Sequence, residues 1–118
     1  YFRGAKYFGY YSENNEPIGV ACLLINESVG GYKQSAELLE IGIFEKYRNL
    51  GYGSQLLKYV ENIAREEKLY SMIIATYAGD YKTISFYGKN GFVPVANIPD
   101  VHGPDDEGMI YMRKILTK

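Results

Sequence analysis

A seven-residue turn decides the fold of this chain, Arg48-Asn49-Leu50-Gly51-Tyr52-Gly53-Ser54. It follows an apolar segment at residues 38–44 that is typical of a strand, and it precedes an amphipathic helix predicted to end near Lys68. The first turn of a helix has unpaired N–H groups and carries the positive end of the helix dipole. Gly51 and Gly53 leave this backbone open to an anion, and Arg48 adds a charge-assisted contact. The turn is therefore predicted to bind a diphosphate.

Two other kinds of phosphate-binding turn are excluded by single residues. A Walker P-loop has a lysine before its Ser or Thr, whereas Gly53 directly precedes Ser54. The dinucleotide-binding fingerprint needs a third glycine, and Leu56 stands at that position. A structural role is the remaining alternative, in which the glycines only let helix and strand pack closely. The arginine and two glycines at fixed spacing favour the binding role.

The rest of the chain completes a β-β-β-α-β-α-β-β order. Residues 6–12 and 18–25 predict a hairpin, residues 27–34 a loop, and Gly42 within the third strand predicts a bulge or a close backbone approach. Lys58, Glu61, Arg65 and Glu66 are expected on the solvated face of the first helix.

A buried strand at residues 71–76 leads to a second helix that Asp80 caps, that runs to Lys89 and that Asn90-Gly91 ends. Residues 92–95 and 109–116 predict two closing strands around a polar loop at residues 97–108. This order predicts an α/β (α+β) fold with a mixed sheet, antiparallel at its hairpins and parallel at the strand-helix-strand unit.

Size and charge limit the classes of function. The 118 residues support one domain, residues 1–118, and the net charge of −1 gives no general attraction to nucleic acid. No apolar run approaches the ~18 residues of a membrane span, and the start of the chain has no secretory-leader pattern. We therefore expect no membrane or nucleic-acid partner and a cytoplasmic location.

Two motifs in the correct order resemble the GNAT superfamily of acyl-CoA N-acyltransferases. The spacing Arg-x-x-Gly-x-Gly after a strand that ends in Ile41-Gly42-Ile43-Phe44 is similar to the acetyl-CoA motif of that family. A second segment resembles its Phe-Tyr-x-x-x-Gly-Phe motif, Ser85-Phe86-Tyr87-Gly88-Lys89-Asn90-Gly91-Phe92. The resemblance covers the chain from about Lys6 onward. It implies a mostly antiparallel central sheet in which two parallel strands splay into a V, with flanking helices.

The resemblance also implies a cofactor, acetyl-CoA as co-substrate, and no metal. Backbone groups of Ile41 and Ile43 would pair with the pantetheine arm as a neighbouring strand does. The pyrophosphate would be held by Arg48, Asn49, Leu50, Gly51, Tyr52, Gly53 and Ser54.

The reaction implied by the resemblance is direct transfer of the acetyl group to a primary amine in a ternary complex. Tyr87 stands where family members commonly have the acid that protonates the departing thiolate. Glu37 and Glu40 are the candidates for the general base, and strand alternation places them on opposite faces unless a bulge shifts the register. Tyr87 as a core aromatic residue, and the glutamates as solvated strand charges, are the structural alternatives.

The chain departs from the family pattern at Glu45, where members commonly have proline, and in two further places. Asp80 stands where members often have asparagine, and it cannot donate a side-chain hydrogen bond to the cofactor. The chain also begins at what resembles the second strand of the family. The first strand and the two helices that usually wall the acceptor site do not precede it. We therefore expect an N-terminally incomplete domain, or a wall supplied by a partner chain such as a homodimer.

The acceptor stays open as a small-molecule or protein amine. The acidic loop at residues 99–107 would attract a cationic amine, whereas a metal role for His102 lacks a recognised ligand spacing, and a solvated surface loop is the first alternative. Two rival functions remain: a non-catalytic CoA-binding or regulatory module on the same fold, and an interaction domain whose glycines serve packing.

Overall fold

The elements follow one another in the predicted order in a computed structural model, which describes residues 5–25 and 35–117. Strands β1 (Ala5–Tyr11), β2 (Pro17–Ile25) and β3 (Ser35–Ile43) lead to a 3₁₀ turn (Glu45–Tyr47) and helix α1 (Tyr52–Glu66). They are followed by strand β4 (Ser71–Tyr77), helix α2 (Tyr81–Lys89), strand β5 (Val93–Ile98) and strand β6 (Met109–Ile115). The loop predicted at residues 27–34 lies outside the described residues. Within the described ranges, no helix has the length and apolar character needed to cross a membrane.

The six strands of the described ranges belong to one sheet with the order β1-β2-β3-β4-β6-β5. The pairs β1–β2, β2–β3, β4–β6 and β5–β6 are antiparallel, and β3–β4 is parallel. The predicted mixed sheet is confirmed. Strand β3 begins earlier than its apolar run indicated, because its first residues pair with β4, and a local pattern does not report a partner distant in sequence.

The parallel pair separates soon after it forms. It consists of the pairs Ser35–Ser71, Ala36–Met72 and Glu37–Ile73. Beyond them β3 continues to Ile43 on β2 alone, while β4 continues to Tyr77 on β6 alone. The facing edges of β3 and β4 therefore part, which confirms the V-shaped splay.

The bulge in β3 lies at Leu39, so its prediction at Gly42 is wrong. Leu23 pairs with Leu38 and Cys22 pairs with Glu40, which leaves Leu39 as the extra residue. Gly42 pairs regularly with Val20. Its carbonyl oxygen instead occupies the space that a side chain at Gly19 would need, so Gly42 makes the close backbone approach that was the other prediction.

The signals that end the helices behave as predicted for α2 and differ for α1. The Asp80 carboxylate accepts a hydrogen bond from the Thr83 N–H at 3.1 Å, and Gly91 adopts a left-handed φ of 96° just after α2. Helix α1 begins at Tyr52 rather than Ser54. Its N-cap is Gly51, and no side chain caps its first turn.

Both helices pack on the same face of the sheet. A stripe on α1, formed by Leu56, Leu57, Val60 and Ala64, is buried against β2 and β3, and Tyr87 of α2 joins the same cluster. Phe8 and Tyr10 of β1 extend this cluster at one end. Each fully buried aliphatic side chain contributes about 1.5–3 kcal/mol. The position of α2 against α1 is therefore fixed by the core beneath them.

Glu61 is buried, contrary to its predicted place on the solvated face of α1. Only 3% of its surface is exposed, and its carboxylate binds the Lys114 ammonium at 2.8 Å. Arg65 lies at 3.7 Å from the same oxygen. Lys114 also donates to the Asn90 carbonyl at 2.9 Å, at the end of α2. This ion pair joins α1, β6 and α2, and a helical-face pattern cannot reveal a partner on a strand 53 residues away.

We expect Lys114→Met to lower the free energy of unfolding by about 3 kcal/mol, because it leaves the Glu61 carboxylate buried without its close partner. The double variant Glu61→Leu/Lys114→Met should recover most of this loss. Urea denaturation of both variants measures the effect, with Arg113→Met on the exposed side of the same strand as the control. A Lys114→Met loss no larger than that of the control would contradict the role of the pair.

Candidate active site

A cleft of about 650 Å³ opens between the diverging strands and extends to the first turn of α1 and along one face of α2. Of the predicted cofactor-binding residues, seven line it: Ile41, Ile43, Arg48, Asn49, Gly51, Gly53 and Ser54. Tyr87, the predicted acid, lines the same cleft. Two distant sequence motifs are thus brought together at one place.

Two residues of the turn do not line the cleft. Leu50 has 64% of its surface exposed to solvent. The Tyr52 ring packs edge-on against Tyr10 and Tyr47, with ring centroids 5.6 and 5.8 Å apart. The Leu50 and Tyr52 side chains therefore do not line the cleft, whereas the Tyr52 N–H belongs to the first turn of α1. That these two residues help to hold the pyrophosphate stays a prediction.

The two glycines of the turn have different roles. Gly51 adopts a φ of 89°, and a Cβ there would meet no atom within 4 Å. A Cβ on Gly53 would lie 3.3 Å from the Phe86 ring of α2. Gly53 therefore provides space for the packing of α2 on α1, a role close to the structural alternative in which the glycines serve packing. Gly51 instead provides the left-handed backbone and an open approach to the start of α1.

The first turn of α1 is suited to an anion. Among the described residues, no side chain accepts a hydrogen bond from its N–H groups, and no acidic residue stands in it. The unpaired donors and the helix dipole together attract negative charge. Arg48 lies beside this turn, where its Nε donates to the Ile43 carbonyl at 2.8 Å. Its two Nη groups have no partner among the described residues and can donate to a ligand.

The unpaired edge of β3 faces the cleft beside Arg48. The Ile43 carbonyl is directed there, because it accepts the hydrogen bond from Arg48. Alternate residues of a strand direct their backbone groups to the same edge, so Ile41 shares this orientation. Backbone donors and acceptors are therefore available along one wall of the cleft.

The β1–β2 hairpin is hydrogen-bonded to the 3₁₀ turn that precedes Arg48. Lys46 binds the Glu16 carboxylate at 2.7 Å, and the Tyr47 hydroxyl donates to its other oxygen. Both hydrogen bonds lower the pKa of Glu16, and the one from Lys46 has the larger effect. Since Tyr47 lines the cleft, the hairpin helps to fix the wall in front of α1.

Tyr87 is 7% exposed, and burial raises its pKa to about 12. Its ring packs edge-on against Phe86 and Phe92, with centroids 5.3 and 5.4 Å away. Both alternatives for Tyr87 therefore describe part of its position, since the ring belongs to the core and the residue lines the cleft. The phenol keeps its proton throughout the neutral pH range.

The bulge at Leu39 places Glu37 and Glu40 on one face of the sheet. Glu37 pairs with Leu24 and Glu40 with Cys22, and these partners are two residues apart on β2. Their face is turned away from α1, because the Leu23 side chain packs on the α1 side. Simple strand alternation predicts opposite faces for Glu37 and Glu40. The bulge shifts the register between them, which was the stated exception, so they share one face.

The two glutamates differ in their surroundings. Glu37 is half-buried at the last pair before β3 and β4 separate, whereas Glu40 is exposed farther along β3. Neither lines the cleft on the helical side of the sheet. Among the described residues, neither carboxylate has a hydrogen bond or an ion pair.

Sequence reasoning missed the part of the cleft that α2 forms. Lys82, Thr83, Phe86, Lys89 and Asn90 line it together with Tyr87. Their spacing, at i, i+1, i+4, i+7 and i+8, is the signal that would have identified one helical face. In the described ranges, no group of three or more His, Cys, Asp or Glu side chains is placed to hold a metal ion.

The acidic loop is partly held by its own hydrogen bonds. Asp106 accepts from the backbone N–H groups of His102 at 3.3 Å and Gly108 at 3.1 Å. The His102 ring lies 6.0 Å from the Tyr77 ring at the end of β4. The Glu107 carboxylate fills the space where a side chain at position 79 would lie, just before α2. The loop is therefore attached to the end of the sheet from which α2 begins.

Comparisons with known proteins agree with this architecture. Residues 2–92 match the sequence profile of the acetyltransferase (GNAT) family. A tRNA(Met) cytidine acetyltransferase of Saccharolobus solfataricus is 31% identical over 58 residues, which are 49% of this chain and 7% of that protein. The chain thus spans a small part of the length of this relative.

Two solved structures show the likeness of the fold. An acetyltransferase of Bacillus subtilis in complex with CoA has a TM-score of 0.83 and 21% identity, over 99% of this chain and 80% of that one. A variant of the spermidine N-acetyltransferase from Vibrio cholerae has a TM-score of 0.81 and 16% identity, over 97% of this chain and 67% of that one.

Substitution of Gly51 tests the anion site. Asn and Asp have nearly the same shape and both tolerate a left-handed backbone, so they differ mainly in charge. We expect Gly51→Asp to bind CoA at least about tenfold more weakly than Gly51→Asn, because a carboxylate would face the diphosphate. Titration calorimetry measures both affinities, and circular dichroism checks the fold. Equal affinities would contradict the assignment.

Proposed function

The chain belongs to the acetyltransferase (GNAT) family, and on this premise we propose that it transfers the acetyl group of acetyl-CoA to a primary amine. One observation carries the proposal. A single cleft contains an unpaired strand edge, the uncapped start of a helix and a buried, protonated tyrosine. These are the groups needed to hold the pantetheine arm, to bind the diphosphate and to protonate a leaving thiolate.

The cofactor would lie across the cleft, from the turn before α1 to the point after Glu37 and Ile73 where β3 and β4 separate, which we call the fork. The diphosphate is held by the N–H groups of α1 and by Arg48. The pantetheine amides pair with the backbone of Ile41 and Ile43, which the splay leaves without a strand partner. The Arg48 side chain then releases or shares the Ile43 carbonyl that it binds in the ligand-free chain. The thioester would reach the region where β3 and β4 separate.

Transfer follows from direct attack on the thioester. The amine nitrogen forms a bond to the acetyl carbon, the C–S bond breaks, and the electron pair of that bond goes to sulfur. Tyr87 donates its proton to this sulfur. Its raised pKa makes a phenol a weaker acid, but the same burial raises the proton affinity of a thiolate formed beside it. The two pKa values therefore shift in the same direction, and the transfer stays feasible.

We propose Glu37 as the group that takes the proton lost by the amine, directly or through water. Its place at the last pair before the fork supports this role, because the thioester would lie at the same end of the slot. Its face of the sheet is turned away from α1, so the amine would approach from the side opposite the diphosphate site. Glu40 shares this face but is exposed and lies farther from the fork.

The acceptor is proposed to be a cationic amine. The acidic loop at the α2 end of the sheet supports this class, since its carboxylates attract positive charge. A spermidine acetyltransferase among the structural neighbours is consistent with it. Spermidine, a lysine peptide, an aminoglycoside and cytidine make a suitable panel, the last because of the cytidine acetyltransferase relative.

We expect the protein to bind acetyl-CoA and to release free CoA thiol when one amine of the panel is added. Tyr87→Phe should lower kcat by about 10²-fold or more with little change in the dissociation constant of acetyl-CoA. Tyr81→Phe is the matched control, because this tyrosine lies at the exposed start of the same helix. Tight binding with no turnover on any amine would favour the non-catalytic CoA-binding module.

The base is tested by the pH dependence of kcat/KM. The acceptor amine gives the same acidic limb in every variant, because it must itself lose a proton before it attacks. The additional acidic limb that a titrating enzyme base produces should disappear in Glu37→Gln and persist in Glu40→Gln. Glu13→Gln in the β1–β2 turn is the control for a lost surface charge. If both variants keep the additional limb, the proton leaves by another route and the assignment of Glu37 is wrong.

A further inference from the structure

The cleft has an excess of positive charge. Arg48, Lys82 and Lys89 line it, and no carboxylate of the described residues does. The whole chain has a net charge of −1, so this concentration of cations is local. Like charges placed around one cavity repel one another, and a bound anion removes that repulsion.

The two lysines of α2 have no anionic partner among the residues that the structure describes. Within the described part of the chain, the ion pairs involve other cations: Lys46, Arg65, His102 and Lys114. Lys82 and Lys89 also make no side-chain hydrogen bond there. Lys89 stands in the last turn of α2, where its charge interacts favourably with the helix dipole. Lys82 stands in the first turn, where the same interaction is unfavourable. A role in helix stability therefore does not account for both.

The geometry of α2 directs both lysines toward the start of α1. Phe86 contacts the position of Gly53 in the first turn of α1. Lys82 and Lys89 lie four residues before and three residues after Phe86 on the same helical face. At 1.5 Å per residue, each is about 6 Å or less from Phe86 along the helix axis. The flexible four-carbon stem of lysine allows both ammonium groups to converge on one phosphate near this contact.

These cations exceed what a diphosphate requires. The uncapped N–H groups of α1 and the Arg48 Nη groups, which have no partner among the described residues, already form the proposed diphosphate site. CoA carries a third phosphate, on the 3′ position of its ribose, and a phosphate monoester has close to two negative charges at neutral pH. Two unpaired lysines beside the diphosphate site match that group in charge.

We propose that Lys82 and Lys89 bind the 3′-phosphate of CoA, so that the protein distinguishes CoA from dephospho-CoA. This inference rests on the proposed function, because it assigns part of the same cofactor to the α2 wall of the cleft. It assigns specificity for the cofactor to α2, whereas the turn before α1 binds the diphosphate that both compounds share.

The test is titration calorimetry of the full chain with CoA and with dephospho-CoA, without turnover. Wild-type protein should bind CoA at least about tenfold more tightly than dephospho-CoA. In Lys82→Met/Lys89→Met the affinity for CoA should fall to that for dephospho-CoA, which should itself be unchanged. Lys68→Met, just beyond the far end of α1, is the matched control and should keep the wild-type ratio.

The outcomes separate this inference from the proposed function. Equal wild-type affinities for the two compounds would overturn the inference and leave the proposed function standing. An equal loss of both affinities in the double variant would assign the lysines to the diphosphate and would also overturn it. Wild-type protein that binds neither compound would overturn both proposals.

Discussion

The separation of β3 from β4 is the constraint on which the site depends. Two parallel strands that remained paired would satisfy each other's backbone groups and leave no slot between them. Here the pairing stops at Glu37 and Ile73, because β3 follows β2 and β4 follows β6. The free edge of β3 can then pair with an extended ligand, and the space between the strands becomes a cleft.

The packing of α2 on α1 determines the other wall of this cleft. Gly53 admits the Phe86 ring, and the ion pair of Glu61 with Lys114 joins both helices to β6. With α2 fixed in this way, Tyr87 lines the cleft on one side of Phe86, and the two lysines flank it along the helix. One glycine thus serves packing, while Gly51 leaves the helix start open. Helix packing and the proposed diphosphate binding therefore depend on different glycines of the same turn.

The bulge at Leu39 determines which face of the sheet carries Glu37, the proposed general base. Without it, Glu37 and Glu40 would lie on opposite faces, and one of them would enter the core beneath α1. The extra residue turns both carboxylates to the face away from the helices. An acceptor that approaches from that face would meet a carboxylate on the side of the sheet opposite the proposed diphosphate site. Acetyl-CoA and the acceptor amine would then reach the fork from opposite faces of the sheet.

The sequence by itself determined the order of the elements, the turn from Arg48 to Ser54, the caps of α2 at Asp80 and Gly91, and the mixed sheet. These features depend on residues close together in the chain, where periodicity and backbone preference act directly. Only the tertiary structure decided the position of the bulge, the burial of Glu61 and the cationic face of α2. Each depends on a partner distant in sequence: β2 for Leu39, Lys114 for Glu61, and the start of α1 for Lys82 and Lys89. A local pattern describes the shape of a segment, and only the folded chain determines what that segment faces.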